Sequence, residues 1–249
     1  MEAKILARLN GINQEFYQTF AQSFSQTRGR VQPGVRRVLT QIPKEGNFLD
    51  IGCGNGNLAK IWARDGYRGS FSGVDFSPGL IADAKKNIKD ANDSQSISFY
   101  EADISSEKWA LILPDQTWDA IFSFAVLHHI PSADCRLRLC QQIHAIADPG
   151  TQIWVSVWQP LNSPRLRKRI LGWQEVGIDR EQVEHGDVLM DWRAYQDSQK
   201  SPAIRYVHIY DESELQNLAE AAGFAVDEKF FSDGKEGNLG LYQRWAAKY

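Results

Sequence analysis

The stretch Asp50-Ile51-Gly52-Cys53-Gly54-Asn55-Gly56 is the part of the sequence that decides the fold. It follows a short apolar run at residues 47–51 and precedes a helical pattern at 58–64. Glycines at such a junction let the backbone turn sharply and approach a ligand where a Cβ would clash. Because ligands of open α/β sheets lie beyond the carboxyl ends of the strands, the stretch predicts a ligand site at this turn.

Strand and helix patterns alternate on the carboxyl side of this turn. The strand patterns cover residues 70–74, 97–100, 118–126 and 152–158. Ser77 followed by Pro78 predicts a helix start, and residues 132–147 form a further helical pattern. The nearly all-apolar run at 118–126 is typical of a central strand that is covered on both faces. The alternation predicts right-handed crossovers and a parallel, doubly wound sheet.

The last part of the chain breaks this alternation. After a helical pattern at 213–222, two strand patterns at 225–231 and 239–245 are separated only by the turn at 233–238. That turn is too short for a helical crossover, so the two strands must be antiparallel. A parallel sheet that ends in an antiparallel hairpin is the topology of class I methyltransferases, and nicotinamide-binding domains lack this hairpin.

The predicted fold is therefore α/β: a Rossmann-like, doubly wound, seven-stranded sheet that ends in an antiparallel hairpin. An N-terminal helical segment precedes it, and an insertion follows its fifth strand. A chain of 249 residues, 43% of them hydrophobic, can bury one such core. We expect a single domain over 1–249, divided into a helical cap (1–45), a cofactor-binding core (46–158), a substrate-side insertion (159–205) and the C-terminal helix and hairpin (206–249).

Three acidic residues lie close to the carboxyl ends of three predicted strands. Asp50 can meet the positively charged methionine end of a cofactor, Asp75 can accept hydrogen bonds from ribose hydroxyls, and Asp103 can accept from an adenine amino group beside the Ile104 amide. Each acid alone is more often a cap or a solvated group. With the GxGxG spacing and the hairpin, they predict S-adenosylmethionine. The predicted cofactor-binding residues are Asp50, Gly52, Cys53, Gly54, Gly56, Asn57, Asp75, Phe76, Asp103, Ile104, Ser123, Phe124 and Arg28.

Residues 118–130, WDAIFSFAVLHHI, resemble the corresponding segment of the type 11 methyltransferases, and this resemblance covers about residues 45–158. A narrower resemblance is to the tRNA wobble-uridine carboxymethyl methyltransferases, which include the domain linked to an AlkB-like hydroxylase. The segments that carry the narrower resemblance are 24–28, 125–129, 155–158, 187–192 and 205–210. It implies that the chain esterifies the carboxymethyl group of a tRNA wobble uridine, with a small zinc-binding activator protein as a partner.

The residues that would meet the methyl acceptor depend on its chemistry. A carboxylate is already ionised at pH 7 and needs a clamp, for which Arg28 and Arg205 are candidates, with His128, His129 and His208 as further donors. A phenol or an amine would instead need a general base, which His128 or His129 can supply. Neighbouring strand residues point to opposite faces, so only one of the pair is expected to face the cofactor, and we favour His129.

The most basic stretch lies in the predicted insertion and contains Arg165, Arg167, Lys168 and Arg169. These cations can neutralise a few phosphates of a nucleic acid, although a solvated helix face is an equal alternative. The net charge of −3 leaves open a methyltransferase for a small carboxylic acid, phenol or amine. A non-catalytic cofactor-binding subunit and a nicotinamide dehydrogenase are the remaining alternatives.

Cysteine content and hydropathy exclude other classes of protein. The three cysteines, Cys53, Cys135 and Cys140, form no CxxC pair, so we expect neither a disulfide framework nor a metal site. The chain has no apolar run of the ~18 residues that a membrane-spanning helix needs, and its N-terminus lacks the apolar core of a signal peptide. We therefore expect no membrane partner and a cytoplasmic location.

Overall fold

The computed structural model of the chain describes residues 1–27, 30–89, 96–192 and 203–248. The strands are β1 (Glu45–Ile51), β2 (Arg68–Asp75), β3 (Ile97–Glu101), β4 (Ala120–Phe124), β5 (Gln152–Trp158), β6 (Ile170–Leu171), β7 (Asp187–Trp192), β8 (Ala203–His208), β9 (Phe224–Ser232) and β10 (Gly240–Ala247). The helices are α1 (Ala3–Thr27), α2 (Pro33–Leu39), α3 (Asn57–Arg64), α4 (Pro78–Lys89), α5 (Ala133–Ala145), α6 (Pro164–Arg167) and α7 (Glu212–Ala221). In these ranges, no helix is long and apolar enough to cross a lipid bilayer.

Seven strands form the main sheet in the order β3-β2-β1-β4-β5-β10-β9. The first five strands are parallel to one another, whereas β10 runs antiparallel to both β5 and β9. The strand order reverses between β1 and β4, which is the point where open α/β sheets bind ligands. The predicted fold, including the terminal hairpin, is confirmed.

Burial on both faces explains why the central strands are continuous apolar runs. Phe48 on β1 and Phe122 on β4 are fully buried against α3, where Trp62 also lies. Leu49 and Ile121 point to the opposite face, which α5 and α7 cover. Each large apolar side chain buried in this way contributes about 1.5–3 kcal/mol, so both helical layers stabilise the edge on which the ligand site is built.

The strands β6, β7 and β8 form a separate, three-stranded antiparallel sheet. Its strand β8 runs from Ala203 to His208 and so crosses the predicted boundary between the insertion (159–205) and the C-terminal helix and hairpin (206–249). Leu9 and Ile12 of α1 pack against Leu189 and Tyr206 of this second sheet. Further along α1, Tyr17 packs against Leu80 of α4. The helix α1 therefore extends from the main sheet's helical layer to the second sheet.

The strand β4 is shorter than the predicted run at 118–126. It ends at Phe124 because Ala125 takes a left-handed conformation with φ of 58° while its N–H donates to the Ser156 carbonyl (2.9 Å). Residues Leu127–His129 then form a 3₁₀ turn. The two histidines consequently do not lie on a regular strand, and the expectation that they point to opposite faces is wrong.

Candidate active site

A cavity with a volume of about 490 Å³ opens at the carboxyl ends of the parallel strands. Its floor is the glycine loop after β1 and residues at or just beyond the carboxyl ends of β2, β3, β4 and β5. One wall is a face of α1, and another is the turn between β9 and β10. The cavity thus lies where the sequence predicts the ligand site.

Gly52 and Gly54 shape the floor of the cavity in different ways. Gly52 has a φ of 75°, and a Cβ at this position would lie 2.3 Å from Cγ2 of Val126. Gly54 has a φ of 53°, and a Cβ there would meet no atom of the described chain within 4 Å. Gly56 does not line the cavity; its missing Cβ makes room for Ala84 and Phe99. The loop therefore lies close to the end of β4 at Gly52 and leaves open space at Gly54.

Asp75 and Asp50 are buried carboxyl groups on the cavity wall. Asp75 accepts hydrogen bonds from the N–H groups of Ser77 and Gly54, both at 2.9 Å. Burial nevertheless raises its pKa to about 6. Burial and, secondarily, the charge of Asp75 raise the pKa of Asp50 well above its ordinary value. Two desolvated carboxyl groups in one cavity favour a ligand that brings positive charge and hydrogen-bond donors.

Asp103 lies at the exposed rim of the cavity beyond β3. Its Oδ1 accepts hydrogen bonds from the Ser105 N–H (2.9 Å) and hydroxyl (2.7 Å), which fixes the turn that carries Ile104. The other predicted cofactor residues on the cavity wall are Cys53, Asn57, Phe76 and Phe124. Ser123 is fully buried and does not line the cavity.

His129 is held by two partners on opposite sides of its ring. Its Nε2 lies 2.9 Å from the Tyr17 hydroxyl of α1, and its Nδ1 lies 3.2 Å from the Tyr206 carbonyl oxygen of β8. Asn13 of α1 donates to the His129 carbonyl and accepts from the Tyr206 N–H, at 2.9 and 2.8 Å. The histidine thus lies at the junction of the main sheet, α1 and the second sheet.

His128 also lines the cavity, because the 3₁₀ turn places both histidines on it. The ring of His128 is buried, and its centroid lies 4.3 Å from that of His129. Its Nδ1 accepts a hydrogen bond from the Trp158 N–H at the end of β5 (3.3 Å).

Arg205 is a buried cation that lines the same cavity as the histidines. Its guanidinium carbon lies 4.7 Å from the Trp158 ring centroid and 5.6 Å from that of Phe16. These distances are within the range of cation–π attraction, so the two rings stabilise the guanidinium where water is scarce. The cavity therefore carries acids on its glycine-loop side and a cation on its β8 side.

His208 is not part of this cavity. Its Nδ1 and Nε2 each lie 2.7 Å from a carboxylate oxygen, of Asp187 and Glu214 respectively. Burial alone would lower the pKa of His208, but these two hydrogen bonds raise it above its ordinary value. Ligand atoms of Glu184, Asp187 and His208 lie within 4.8 Å of one another. In this structure, however, the Asp187 carboxylate binds His208 and the Glu184 carboxylate binds Arg136. The structure thus places the His208 ring between two carboxylates and away from the cavity, where it does not donate a hydrogen bond to the methyl acceptor.

The predicted basic segment lies on α6 and the residues after it. Ser163 caps the helix through a hydrogen bond from the Leu166 N–H, and Pro164 is its first residue. Leu166 is buried against the second sheet, which leaves the side chains of Arg165, Arg167 and Lys168 exposed and that of Arg169 half-buried. These four cations do not line the cavity. Arg28 lies outside the described residues.

The cavity wall contributed by α1 is a feature that we did not predict. Asn10, Asn13, Gln14 and Tyr17 line the cavity, and their spacing places them on one face of the helix. That polar stripe is visible in the sequence beside the apolar stripe that packs on the second sheet. Its partner is not, because His129 is 112 residues away from Tyr17.

Comparisons with known proteins identify relatives over nearly the whole chain. The sequence model of the methyltransferase domain family matches residues 23–229. An Encephalitozoon cuniculi protein that carries a methyltransferase name is 27% identical over 213 residues, which are 85% of this chain and 86% of that protein. The tRNA (carboxymethyluridine(34)-5-O)-methyltransferase of Schizosaccharomyces pombe is 26% identical over 225 residues, or 86% of this chain and 89% of the yeast protein.

Solved structures share the fold at lower identity. A Methanosarcina mazei SAM-dependent methyltransferase superposes with a TM-score of 0.64 at 21% identity, over 87% of this chain and 98% of that one. The methyltransferase in a complex with the Haloferax volcanii Trm112 methyltransferase activator superposes with a TM-score of 0.64 at 16% identity, over 95% and 97% of the two chains.

The residues on the cavity wall fit S-adenosylmethionine. The sulfonium and ammonium charges of that cofactor offset the buried carboxyl groups of Asp50 and Asp75, and its ribose supplies hydroxyl donors. The open space at Gly54 admits a ligand close to the backbone. Because the family match also covers well over half of the chain, the chain belongs to the methyltransferase domain family and is an S-adenosylmethionine-dependent methyltransferase.

Proposed function

We propose that the chain transfers a methyl group to a carboxylate oxygen, and that this carboxylate is the carboxymethyl group of a tRNA wobble uridine. The observation that carries the proposal is the buried guanidinium of Arg205 in the same cavity as the buried carboxyl groups of Asp50 and Asp75. A fork of guanidinium N–H groups is the side chain best suited to bind a carboxylate. The S. pombe relative named for this reaction supports the choice of substrate.

In the proposed mechanism the cofactor supplies an electrophilic methyl group, and the protein positions the nucleophile. Asp50 and Asp75 hold the cofactor, whereas Arg205 orients the acceptor carboxylate toward it. The carboxylate is already ionised near pH 7, so no proton has to be removed. We propose that residues 1–45 and 159–205 serve as the cover of a single domain and exclude water from the cavity. We place Arg28 among the acceptor and cofactor ligands on the resemblance alone.

The proposal is tested with total tRNA from a strain that lacks wobble esterification. The chain is incubated with this tRNA and labelled cofactor, and the nucleosides are then analysed by mass spectrometry. We expect the label in the methyl ester of carboxymethyluridine. Incorporation into a small-molecule extract but not into tRNA would select the alternative acceptor, a small carboxylic acid, phenol or amine.

The exposed cations Arg165, Arg167 and Lys168 are expected to contribute to tRNA affinity. We expect their combined replacement by glutamate to weaken tRNA binding by about tenfold or more near 0.15 M salt, and to make the salt dependence shallower by about one unit of slope per lost phosphate contact. Filter binding over a salt series measures both quantities.

The matched control reverses Lys60, Lys85 and Lys86, which are exposed cations on α3 and α4. This variant has the same net charge as the first, so a purely global charge effect would weaken binding equally in both. Equal losses would contradict a role of α6 in tRNA binding.

Cofactor affinity is expected to rise with pH between about 5 and 7. Burial raises the pKa of Asp75 to about 6, and its ionised form accepts hydrogen bonds from the ribose hydroxyls more strongly than its protonated form does. Below this pKa, each bound cofactor must displace a proton, so affinity falls by about tenfold per pH unit. Calorimetric titration with S-adenosylhomocysteine over this range measures the slope. Asp75→Asn is expected to bind weakly with a shallower pH dependence, and an unchanged slope in this variant would contradict the assignment.

An activator partner is also proposed. The structural neighbour solved with the Trm112 activator has the same fold over most of its length, which supports testing a small zinc-binding protein of that kind. We further propose a cytoplasmic location, where tRNA is available. Co-purification, and activity measured with and without such a protein, test the proposed activator. Equal activity in both preparations would contradict this partner.

A further inference from the structure

We infer that His128 and His129 hold opposite tautomers, and that Tyr17 is the positioning residue whose hydroxyl occupies the lone pair of His129. The acceptor wall, which is the cavity surface formed by His128, His129 and Arg205, then offers the methyl acceptor a hydrogen-bond donor and no general base. The inference rests on the proposed function, because only an acceptor that arrives ionised can react at such a wall. The tautomers themselves are a property of the protein without substrate.

The tautomer of His129 follows from the chemistry of its two partners. Its Nδ1 lies 3.2 Å from the Tyr206 carbonyl oxygen, which can only accept a hydrogen bond. Nδ1 therefore carries the hydrogen in the neutral ring. Nε2 then has the lone pair, and the Tyr17 hydroxyl at 2.9 Å donates to it. The hydrogen positions are assigned from these partners.

His128 has the reverse arrangement. Its Nδ1 lies 3.3 Å from the Trp158 backbone nitrogen, which can only donate. The lone pair is therefore on Nδ1, and the hydrogen is on Nε2. Since the buried His128 lines the cavity, its Nε2–H is a hydrogen-bond donor for an acceptor oxygen.

Polar and charged side chains from other elements line the cavity beside the pair. Tyr17 faces the histidines from α1, and Arg205 lines the same cavity from β8. Asp50 and Asp75 line it from the carboxyl ends of β1 and β2. Donors from His128 and Arg205 together match the lone pairs of a carboxylate. A phenol or an amine would instead meet two histidines whose lone pairs are already engaged.

Asn13 is a second positioning residue, one helical turn before Tyr17. It binds the His129 carbonyl through Nδ2 (2.9 Å) and the Tyr206 N–H through Oδ1 (2.8 Å). It thereby fixes the distance between the 3₁₀ turn and β8, which keeps the Tyr206 carbonyl beside the imidazole. The polar stripe of α1 thus acts on the acceptor wall through His129.

The first test is the tautomeric state of the intact, cofactor-free protein with ¹⁵N-labelled histidine. Long-range ¹H–¹⁵N spectra at pH 7.5 are expected to show one ring protonated at Nδ1 and another at Nε2, which disappear in His129→Asn and His128→Gln respectively. Tyr17→Phe, which keeps the aromatic ring, should shift the Nε2 resonance of His129. Identical tautomers for the pair, or an unshifted Nε2 in Tyr17→Phe, would overturn the inference. This result does not depend on whether tRNA is the substrate.

The second test is kinetic and uses the acceptor identified by the tRNA experiment. Glutamine retains an N–H near the position of His128 Nε2, so His128→Gln is expected to be at least about tenfold more active than His128→Leu, which is the usual effect of a hydrogen bond to a charged group. A required base would be lost in both variants. With saturating cofactor, the rate of the unaltered protein is expected to be flat from about pH 5.5 to 8.5, a range that includes the ordinary pKa of histidine near 6.5. A tenfold rise per pH unit would show a general base and contradict the inference.

Discussion

Replacing Gly52 by alanine is expected to weaken the binding of S-adenosylhomocysteine by about 100-fold or more. The φ of 75° at this residue disfavours any L side chain, at a cost of about 1–2 kcal/mol. In addition, the new Cβ would lie 2.3 Å from Cγ2 of Val126, and relief of such overpacking costs about 1–3 kcal/mol. The loop must move away from the end of β4, and each 1.4 kcal/mol lost from the bound state is a factor of about ten in affinity.

Gly66 provides a matched control for this substitution. It has the same φ of 75°, but a Cβ there would meet no atom of the described chain within 4 Å, and it does not line the cavity. We expect Gly66→Ala to lower the free energy of unfolding by about 1–2 kcal/mol and to leave cofactor affinity unchanged. Calorimetric titration and chemical unfolding of both variants measure the difference. Similar cofactor affinities in the two variants would contradict the assigned role of Gly52.

The main sheet could be predicted from the sequence because its signals are local. The predicted bounds of β5 agree with the structure, since a run that is apolar from residue 153 to 158 except for Ser156 is bounded by polar residues at both ends. The hairpin of β9 and β10 followed from the length of one turn. In both cases, residues that are close in sequence determine the result.

The predictions that the structure contradicts concern elements whose ends and pairing depend on residues that are distant in sequence. The end of β4 is set by Ala125, whose N–H meets the Ser156 carbonyl 31 positions away and whose positive φ has no signature in an alanine. The sequence predicts only an insertion where the second sheet lies, because β6 has two residues and owes its pairing to β7. A two-residue segment such as β6 cannot be distinguished from a loop by its length or its polarity.

The same distinction applies to the site. Asp50 and Asp75 could be placed on the cavity because each lies within one residue of the end of a predicted strand. His208 was predicted to meet the acceptor, yet Asp187 and Glu214 enclose its ring, and Asp187 faces it from the paired strand. A histidine motif alone does not tell whether its imidazole faces a cavity or a buried ion pair.

Replacing Arg205 by methionine is expected to lower kcat/KM for a carboxylate acceptor by about 100-fold or more, with cofactor affinity within about threefold of the original. Methionine retains an apolar stem between the rings of Phe16 and Trp158 but has no charge and no donors. Removing one partner of a buried, hydrogen-bonded charge pair costs about 2–5 kcal/mol. Because the loss is confined to the acceptor side, KM for the acceptor and kcat should change while the titration with S-adenosylhomocysteine does not.

Arg205→Lys separates the contribution of charge from that of geometry. Lysine keeps the positive charge but lacks the planar fork, so an intermediate loss is expected if the guanidinium binds both carboxylate oxygens. Unfolding curves of the two variants show whether the cover remains folded, which distinguishes a local effect from collapse of the second sheet. If Arg205→Met retained full activity, or if both variants lost cofactor affinity to the same degree as activity, Arg205 would not be the carboxylate clamp. An acceptor without a negative charge, such as a phenol or an amine, would then be the substrate to pursue, because it gains nothing from a guanidinium at this wall.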